Sequence, residues 1–352
     1  MIQKKINKKD EKLVSIILLS YNSQKDLEEC IPSLMNQTYA NYEIILIDNA
    51  SKDKTVEFVK INYPDIKIIK NERNIGYAEG NNIGVRYAKG EYIVILNPDT
   101  ITERDWLYQL IKPLKDYHAS TSKILMHGQR DTINTCGNHS HFTGIDFCRG
   151  LYENISCFSK VEDVNSISGC SFAIRKDIFE KIGGFDPDFF LYLEDIDLSW
   201  RLRIAGYKIV FVPTSIIYHK FQLKVPPMKE FYLEKNRYMM LIKNYNIQTL
   251  VLISPALLVT EFIIWVHAIT NGFKYVRSKL KAYWWIYNNF DKIIRKRYIV
   301  QRHRKIDDKE FIRLLEWKIP FDYLIKNIPA EAANIIFNSF FLMNFILVKR
   351  LM

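Results

Sequence analysis

Apolar residues come in short runs over the first hundred positions: Val14 to Leu19, Tyr42 to Ile47, Ile66 to Ile69 and Tyr92 to Leu96. Each run is too short for a buried helix and rich in Ile and Val, the signature of strands covered on both faces. Helix-like stretches lie between them at Gln24 to Asn36, Asp53 to Asn62 and Gly80 to Ala88. This alternation predicts right-handed crossovers and a parallel sheet with flanking helices, an α/β fold. Polar residues gather where each run stops, at Ser20-Tyr21-Asn22, Asp48-Asn49, Asn71 to Gly76 and Asn97-Pro98-Asp99. In an open parallel sheet the strand ends share one edge, and ligands bind in the crevice beyond it. Four clusters at four strand ends therefore predict one site.

Farther along, Thr102 is expected to cap a helix running to about Tyr117, with Glu103 and Asp105 complementing its dipole. Residues 127 to 165 show no clear period. A strand is expected at Ser168 to Ile174, a short helix at Asp177 to Ile182 stopped by Gly183-Gly184, and a helix at Glu194 to Ala205 ended by Gly206. Two short strands follow, Lys208 to Val212 and Ser215 to Tyr218, and then His219. Pro226-Pro227 marks a boundary. The expected organisation is a polar basic tail (1–13), an α/β domain (14–225) and a helical, basic and apolar region (226–352).

Composition sharpens this division. The 352 residues are 48% hydrophobic and 14% aromatic, which excludes a disordered chain. Lys plus Arg balance Asp plus Glu at 14 each in residues 1–100 and 15 each in 101–225, but stand 21 to 10 in 226–352, so the net +11 sits in the last third. That distribution excludes a uniformly basic nucleic-acid coat. Five cysteines without a Cys-x-x-Cys pair indicate neither a zinc site nor a disulfide framework and fit a reducing cytoplasm. The lysine-rich start mimics a signal peptide, yet its apolar run is short and no small-residue cleavage site follows.

The series Ser20-Tyr21-Asn22, Asp48 to Asp53, Asn74-Ile75-Gly76, Leu96 to Thr100 and Glu194 to Arg201 resembles glycosyltransferase family two over about Val14 to His219. The resemblance implies a GT-A fold, a nucleotide-sugar donor and inversion at the anomeric carbon. Asn97-Pro98-Asp99-Thr100 with Glu194-Asp195-Ile196-Asp197 is closest to the bacterial rhamnosyltransferase-like subgroup, which makes dTDP-rhamnose one candidate donor.

Asp48 closes an otherwise apolar strand, and the family implies that it accepts the imide N–H of uracil or thymine; a turn or cap role describes Asp53 better. Ser20, Tyr21 and Asn22 would flank the base and ribose. Asn74 and Gly76 would let backbone approach the ligand closely. Asp99 is the candidate ligand for Mg2+ or Mn2+, hard cations that take one or two carboxylates plus substrate phosphate oxygens. Many relatives have Asp-x-Asp there, and Asn97 in the first position points to a metal that arrives with the donor diphosphate. His219 either joins the metal or diphosphate or is a solvated strand end. The resemblance implies that Asp195 is the base, with Glu194 orienting the acceptor; the alternative is that both, like Asp197, merely complement a helix N-terminus. Trp200 and Arg201 read as packing and a salt bridge, and Cys170 as a small buried residue.

In the last third, Asn244 to Phe273 has the length of a membrane span. Glu261 near its middle, Pro255, and eleven cations against one Asp over residues 271–305 oppose spanning under the positive-inside rule. Aromatics interleaved with those cations, and an amphipathic helix over Ala332 to Val348 with Asn334, Asn338 and Asn344 on one face, fit an in-plane attachment to an anionic membrane surface. A homodimer interface is the main alternative, and nucleic acid is not an expected partner. Taken together the sequence reads as an inverting enzyme at the cytoplasmic face of the cell membrane, peripheral or monotopic. It would move a sugar from a UDP- or dTDP-linked donor to a hydroxyl of a lipid-linked or cell-surface glycan. Two rivals remain: a sugar nucleotidyltransferase, which would carry a Gly-rich basic loop after its first strand, and an inactive nucleotide-sugar-binding scaffold, which would tolerate loss of Asp99 and Asp195. A dehydrogenase is excluded, since no Gly-x-Gly-x-x-Gly follows the first strand.

Overall fold

The computed structural model describes residues 11–221, 225–321 and 330–352, so the basic tail expected at 1–13 falls, up to residue 10, outside the described residues. The first half alternates as expected: β1 (Val14–Ser20), α1 (Gln24–Met35), β2 (Tyr42–Asp48), α2 (Thr55–Asn62), β3 (Lys67–Lys70), α3 (Gly76–Tyr87) and β4 (Tyr92–Leu96). These four strands are parallel, in the order β4-β1-β2-β3. Next come β5 (Thr100–Thr102), α4 (Trp106–Ile111), β6 (Ala119–Met126), β7 (Gln129–Thr135), β8 (Asn138–Ser140), β9 (Asp146–Cys148), β10 (Glu162–Asp163), β11 (Ser171–Arg175), α5 (Lys176–Lys181), α6 (Glu194–Ile204) and β12 (Ile209–His219). β11 inserts antiparallel between β4 and β6, and β12 lies beyond β6.

The sheet is covered on both sides because β1 and β4 bury nearly every residue. α3 lies unusually close to β1. A Cβ on Gly80 would sit 2.5 Å from Leu19, and one on Gly84 2.3 Å from Ile17, so these glycines set the helix–sheet distance.

Three expectations change. Thr102 does not cap a helix; it ends β5, which pairs with β12, and α4 starts at Trp106, whose indole N–H reaches Ser122 and Ser171 in the core. α4 is also short, passing into a 3₁₀ turn over Lys112–Lys115 that contains Pro113. The two strands expected around His219 are one, β12, whose register shifts between Val212 and Ile216, where Pro213 lacks an N–H for the ladder.

The basic region continues with α7 (Pro227–Asn244), α8 (Ile247–Leu252), α9 (Ser254–Asn271), α10 (Phe273–Asn288), α11 (Phe290–Arg302), α12 (Asp308–Ile312) and α13 (Ala330–Leu351). The apolar stretch Asn244 to Phe273 is thus broken, with Pro255 in the first turn of α9. Met239, Met240, Leu241 and Tyr245 enter the same core as Ile93, Phe172 and Trp200, so these helices are welded to the sheet domain. Glu261 faces protein: it pairs with Arg237 (3.1 Å) and Lys279 (2.7 Å) and accepts from the Tyr283 hydroxyl (2.9 Å). The amide face of α13 also turns inward, Asn338 exchanging hydrogen bonds with the backbone of Ile319 and Asn344 donating to the Leu252 carbonyl.

Candidate active site

The carboxyl ends of β1, β2, β3 and β4 meet at one edge, and the loops there form two halves. In the outer half, the turns after β1 and β2 are tied together. Asn22, left-handed at φ 54°, donates its N–H to Ser51 (2.9 Å) and accepts from the Lys52 N–H (2.7 Å). Asp48 ends β2 almost buried, its carboxylate accepting weakly from the Ser51 N–H at 3.3 Å, and Tyr21 stands about half exposed beside it. Asp53 accepts from Thr55 at the start of α2 and from the Gln24 N–H at the start of α1, the turn role expected of it. Ser20 departs from expectation: it is wholly buried and its hydroxyl donates to the Ile47 carbonyl, so its side chain faces the sheet and not the crevice.

Asn74 shapes the next turn, accepting from the Gly76 N–H at 2.9 Å. Asn49, which the motif pattern did not single out, is the hub of this turn. It donates to Asn74 (3.2 Å) and the Gly76 carbonyl (3.1 Å) and accepts from Asn71 (2.9 Å). Gly76 is required twice over, by φ +84° and because a Cβ would lie 2.4 Å from the Phe190 carbonyl.

The inner half carries the acidic groups. Asp99 follows β4, with Oδ2 3.4 Å from His219 Nε2 at the end of β12, while His219 Nδ1 meets Asn134 Oδ1 at 2.8 Å. Asp99 Oδ1 is buried without a hydrogen-bond partner, a lone pair free for a cation. Asn97 is held through its backbone, donating to the Cys170 carbonyl and accepting from Thr100. Among the described residues no three His, Cys, Asp or Glu side chains gather as a metal site. Asp99 and His219 therefore fit a hard cation whose other ligands come from substrate and water. Asn134 lies in the stretch without sequence period, and nothing local marked it.

Asp195, in the first turn of α6, accepts from the Gly169 N–H (2.7 Å) with Oδ2 and from the Ile196 N–H (2.9 Å) with Oδ1. The Tyr77 hydroxyl donates to the Gly169 carbonyl, joining α3 to the same point. Burial raises the Asp195 carboxyl to about 6 against the pull of these N–H groups. Glu194 beside it is buried, with Oε2 unpartnered, and burial plus the neighbouring Asp195 charge lift it well above the carboxylate range. Both carboxyls are thus raised by burial, and Glu194 further by the charge of its neighbour. The segment leading in is strained: Phe190, Tyr192 and Leu193 are all left-handed, at φ 62°, 69° and 62°. Such residues cost about 1–3 kcal/mol each and persist where the surroundings over-determine them.

Asp197 does more than complement a dipole. Wholly buried, it takes Arg201 (2.8 Å), Lys243 (3.0 Å) and Asn244 (3.1 Å) at once. Arg201 also donates to the Ile182 and Gly184 carbonyls, the packing and salt-bridge role expected of it. Cys170 is buried, which pushes its thiol up and leaves it inert.

Residues 15–183 match the family described as glycosyl transferase family 2, and residues 149–224 match the N-terminal domain of galactosyltransferase. Among curated proteins, the chain is 26% identical over 210 residues to a poly-beta-1,6-N-acetyl-D-glucosamine synthase of Staphylococcus epidermidis, covering 58% of this chain and 48% of that protein. The Staphylococcus aureus (strain COL) protein of the same name is 27% identical over 209 residues, with the same coverage. The chain spans about half the length of these curated relatives. Among solved structures, GalNAc-T7 with UDP, GalNAc and Mn2+ superposes with a TM-score of 0.57 at 22% identity, covering 67% of this chain and 48% of that one. The mannosyltransferase PcManGT from Pyrobaculum calidifontis, in complex with GDP-Man and Mn2+, gives 0.50 at 16% identity, covering 98% and 88%. At such identities the two structures show a shared fold, the GT-A architecture. The rhamnosyltransferase-like subgroup is not singled out by these matches. The strand-end motifs thus assemble at one edge of a GT-A fold, and residues 15–183, just under half of the chain, carry the match to family two of the glycosyltransferases.

Proposed function

We propose that the protein transfers a sugar, with inversion, from a uridine or thymidine diphosphate donor to a hydroxyl of a lipid-linked or cell-surface glycan. The observation that carries this is Asp195: a carboxylate fixed by the Gly169 N–H, raised to about 6, at the same sheet edge as Asp99 and His219. In the reaction the acceptor oxygen forms its bond to the anomeric carbon as the bond from that carbon to the diphosphate breaks. The electron pair leaves with the nucleoside diphosphate, and the acceptor proton passes to Asp195. Glu194, buried beside it with one carboxyl oxygen unpartnered, orients the acceptor. Asp48, Tyr21 and Asn22 hold the base and ribose, and the Asn74–Gly76 turn lets backbone approach the donor. Asp99 and His219 would hold Mg2+ or Mn2+, which supplies charge compensation at the leaving diphosphate. The test is a panel of sugar nucleotides with and without Mn2+. Acceptor-dependent release of UDP or dTDP, and a product of inverted anomeric configuration by NMR, are expected; release without acceptor dependence, or retention, overturns the reading.

The same reading places the enzyme in the plane of the membrane, on the cytoplasmic side where a charged donor is found. Supporting it, the inward turn of the α13 amides leaves Ile335, Ile336 and Met343 64–71% exposed, on a helix that packs against α8 and α9, which themselves expose Val251 and Leu258. Apolar residues exposed on helices that adjoin the cationic α10 suit a lipid interface. Among the described residues, one helix, Glu331–Leu351, is long and apolar enough to cross a membrane by length and composition; Asn244 to Phe273, which the sequence already argued against as a span, is not. Flotation with phosphatidylglycerol vesicles that survives high salt is expected; release by salt alone would reduce the attachment to charge, and a vesicle-independent dimer in sedimentation would reassign the face to self-association.

A further inference from the structure

The strained loop before Asp195 is gripped from the C-terminal helices. Asn236 of α7 is wholly buried, and its amide nitrogen lies within hydrogen-bond distance of three successive loop carbonyls, Phe189 (3.0 Å), Leu191 (2.9 Å) and Tyr192 (2.6 Å). Lys235, one residue earlier, donates to the Asp188 carbonyl. Two turns on, Lys243 bridges the two flanks of the loop, pairing with Asp186 before it (2.6 Å) and Asp197 after it (3.0 Å). From α11, Lys296 pairs with Asp186 and Asp188. The middle of the loop in turn touches the donor half: the Phe190 carbonyl accepts from the Tyr77 and Ala78 N–H groups at the start of α3.

A left-handed run of bulky residues relaxes unless its carbonyls are held elsewhere. Here the holding groups come from a helix some 40 residues downstream, and what they hold is the approach to both the base and the Gly76 turn. We infer that Asn236, with Lys235 and Lys243, is a positioning clamp that fixes Asp195 against Gly169 and Phe190 against the donor turn. The C-terminal helices are then part of the catalytic machinery as well as the seat of the apolar face. This rests on Asp195 being the base.

The test uses the full chain with Asn236→Ala, Lys235→Met and, as a control for loss of a buried amide remote from the loop, Asn338→Ala. Tm, and kcat and KM per folded molecule from pH 5 to 8, are measured for each. For Asn236→Ala, kcat falls at least about tenfold while KM for the acceptor changes less than about threefold. Its acid limb also moves to lower pH as water reaches Asp195. Asn338→Ala loses Tm with kcat and pH profile intact. A folded Asn236→Ala enzyme with wild-type kcat and acid limb overturns the clamp. If Asn236→Ala does not fold, Lys235→Met, which keeps the aliphatic stem, decides in the same way: a several-fold kcat loss with a moved acid limb supports the clamp and wild-type kinetics overturns it. Absence of transfer by the wild-type chain with every sugar nucleotide would instead remove the transfer reading and the clamp with it, so the two failures are distinguishable.

Discussion

A base raised to about 6 leaves a mark on the rate that no ordinary carboxylate would leave. With Asp195 as the proposed base, the free enzyme should lose kcat/KM below that value with unit slope, because only the ionised carboxylate can accept the acceptor proton. With an apparent value of about 6, about nine in ten molecules are competent at pH 7 and about one in eleven at pH 5, so the rate falls roughly tenfold between them. A carboxyl at its ordinary 3.8 would still be about 94% ionised at pH 5 and show almost no fall. Asp195→Asn keeps an oxygen for the Gly169 N–H but removes the base. It should therefore lower kcat by about 10²–10⁴-fold while leaving nucleotide affinity within a few-fold. Stability moves the other way. The folded protein holds a proton on Asp195 between about pH 4 and 6 that the unfolded chain has released, so stability falls as pH rises through that window. The Asn variant lacks this slope and should melt no lower than wild type at pH 7. The assay is initial-rate transfer from pH 5 to 8 beside urea titrations at the same pH values. A flat rate profile to pH 5, or an Asn variant with wild-type turnover, refutes the assignment of Asp195.

Three further outcomes follow from the geometry. Gly76→Ala meets the Phe190 carbonyl and a left-handed backbone, the latter alone costing about 1–3 kcal/mol; it should weaken nucleotide binding at least tenfold by calorimetric titration and lower Tm. Asp99→Asn should abolish the Mn2+-dependent part of nucleotide binding while the thermal shift with metal-free nucleoside persists, since in the proposed function base and ribose are assigned to the outer half. Lys279→Met leaves Glu234 and Glu261 sharing Arg237 in a buried cluster, and by analogy with other broken buried pairs should cost about 3–5 kcal/mol in urea unfolding.

Much of the site was legible because it sits at strand ends. Asp48 stands out as a carboxylate closing an apolar run, and Glu194-Asp195 as paired acids opening a helix, whatever the rest of the chain does. What escaped were polar groups whose partners are remote in sequence. Asn134 was one of many polar residues in an aperiodic stretch, and only the pairing of β7 with β6, and of β6 with β12, brings it to His219. Asn236 resembled any polar position on a helix until three loop carbonyls were found around it.

The hydrophobic spacing by itself determined the parallel half of the sheet, its helices and the shared edge, because burial of apolar runs is a local property that period and length encode; the residue count alone placed the net charge in the last third. Tertiary structure alone decided which way each polar side chain turns. Ser20 points into the sheet although its neighbours line the crevice; Asp197 becomes a buried ionic hub; and the amides of α13 face inward, leaving its apolar residues outside. The reason is that a buried carbonyl, N–H or charge must find a partner, and which partner lies within reach is fixed by the packing of distant segments.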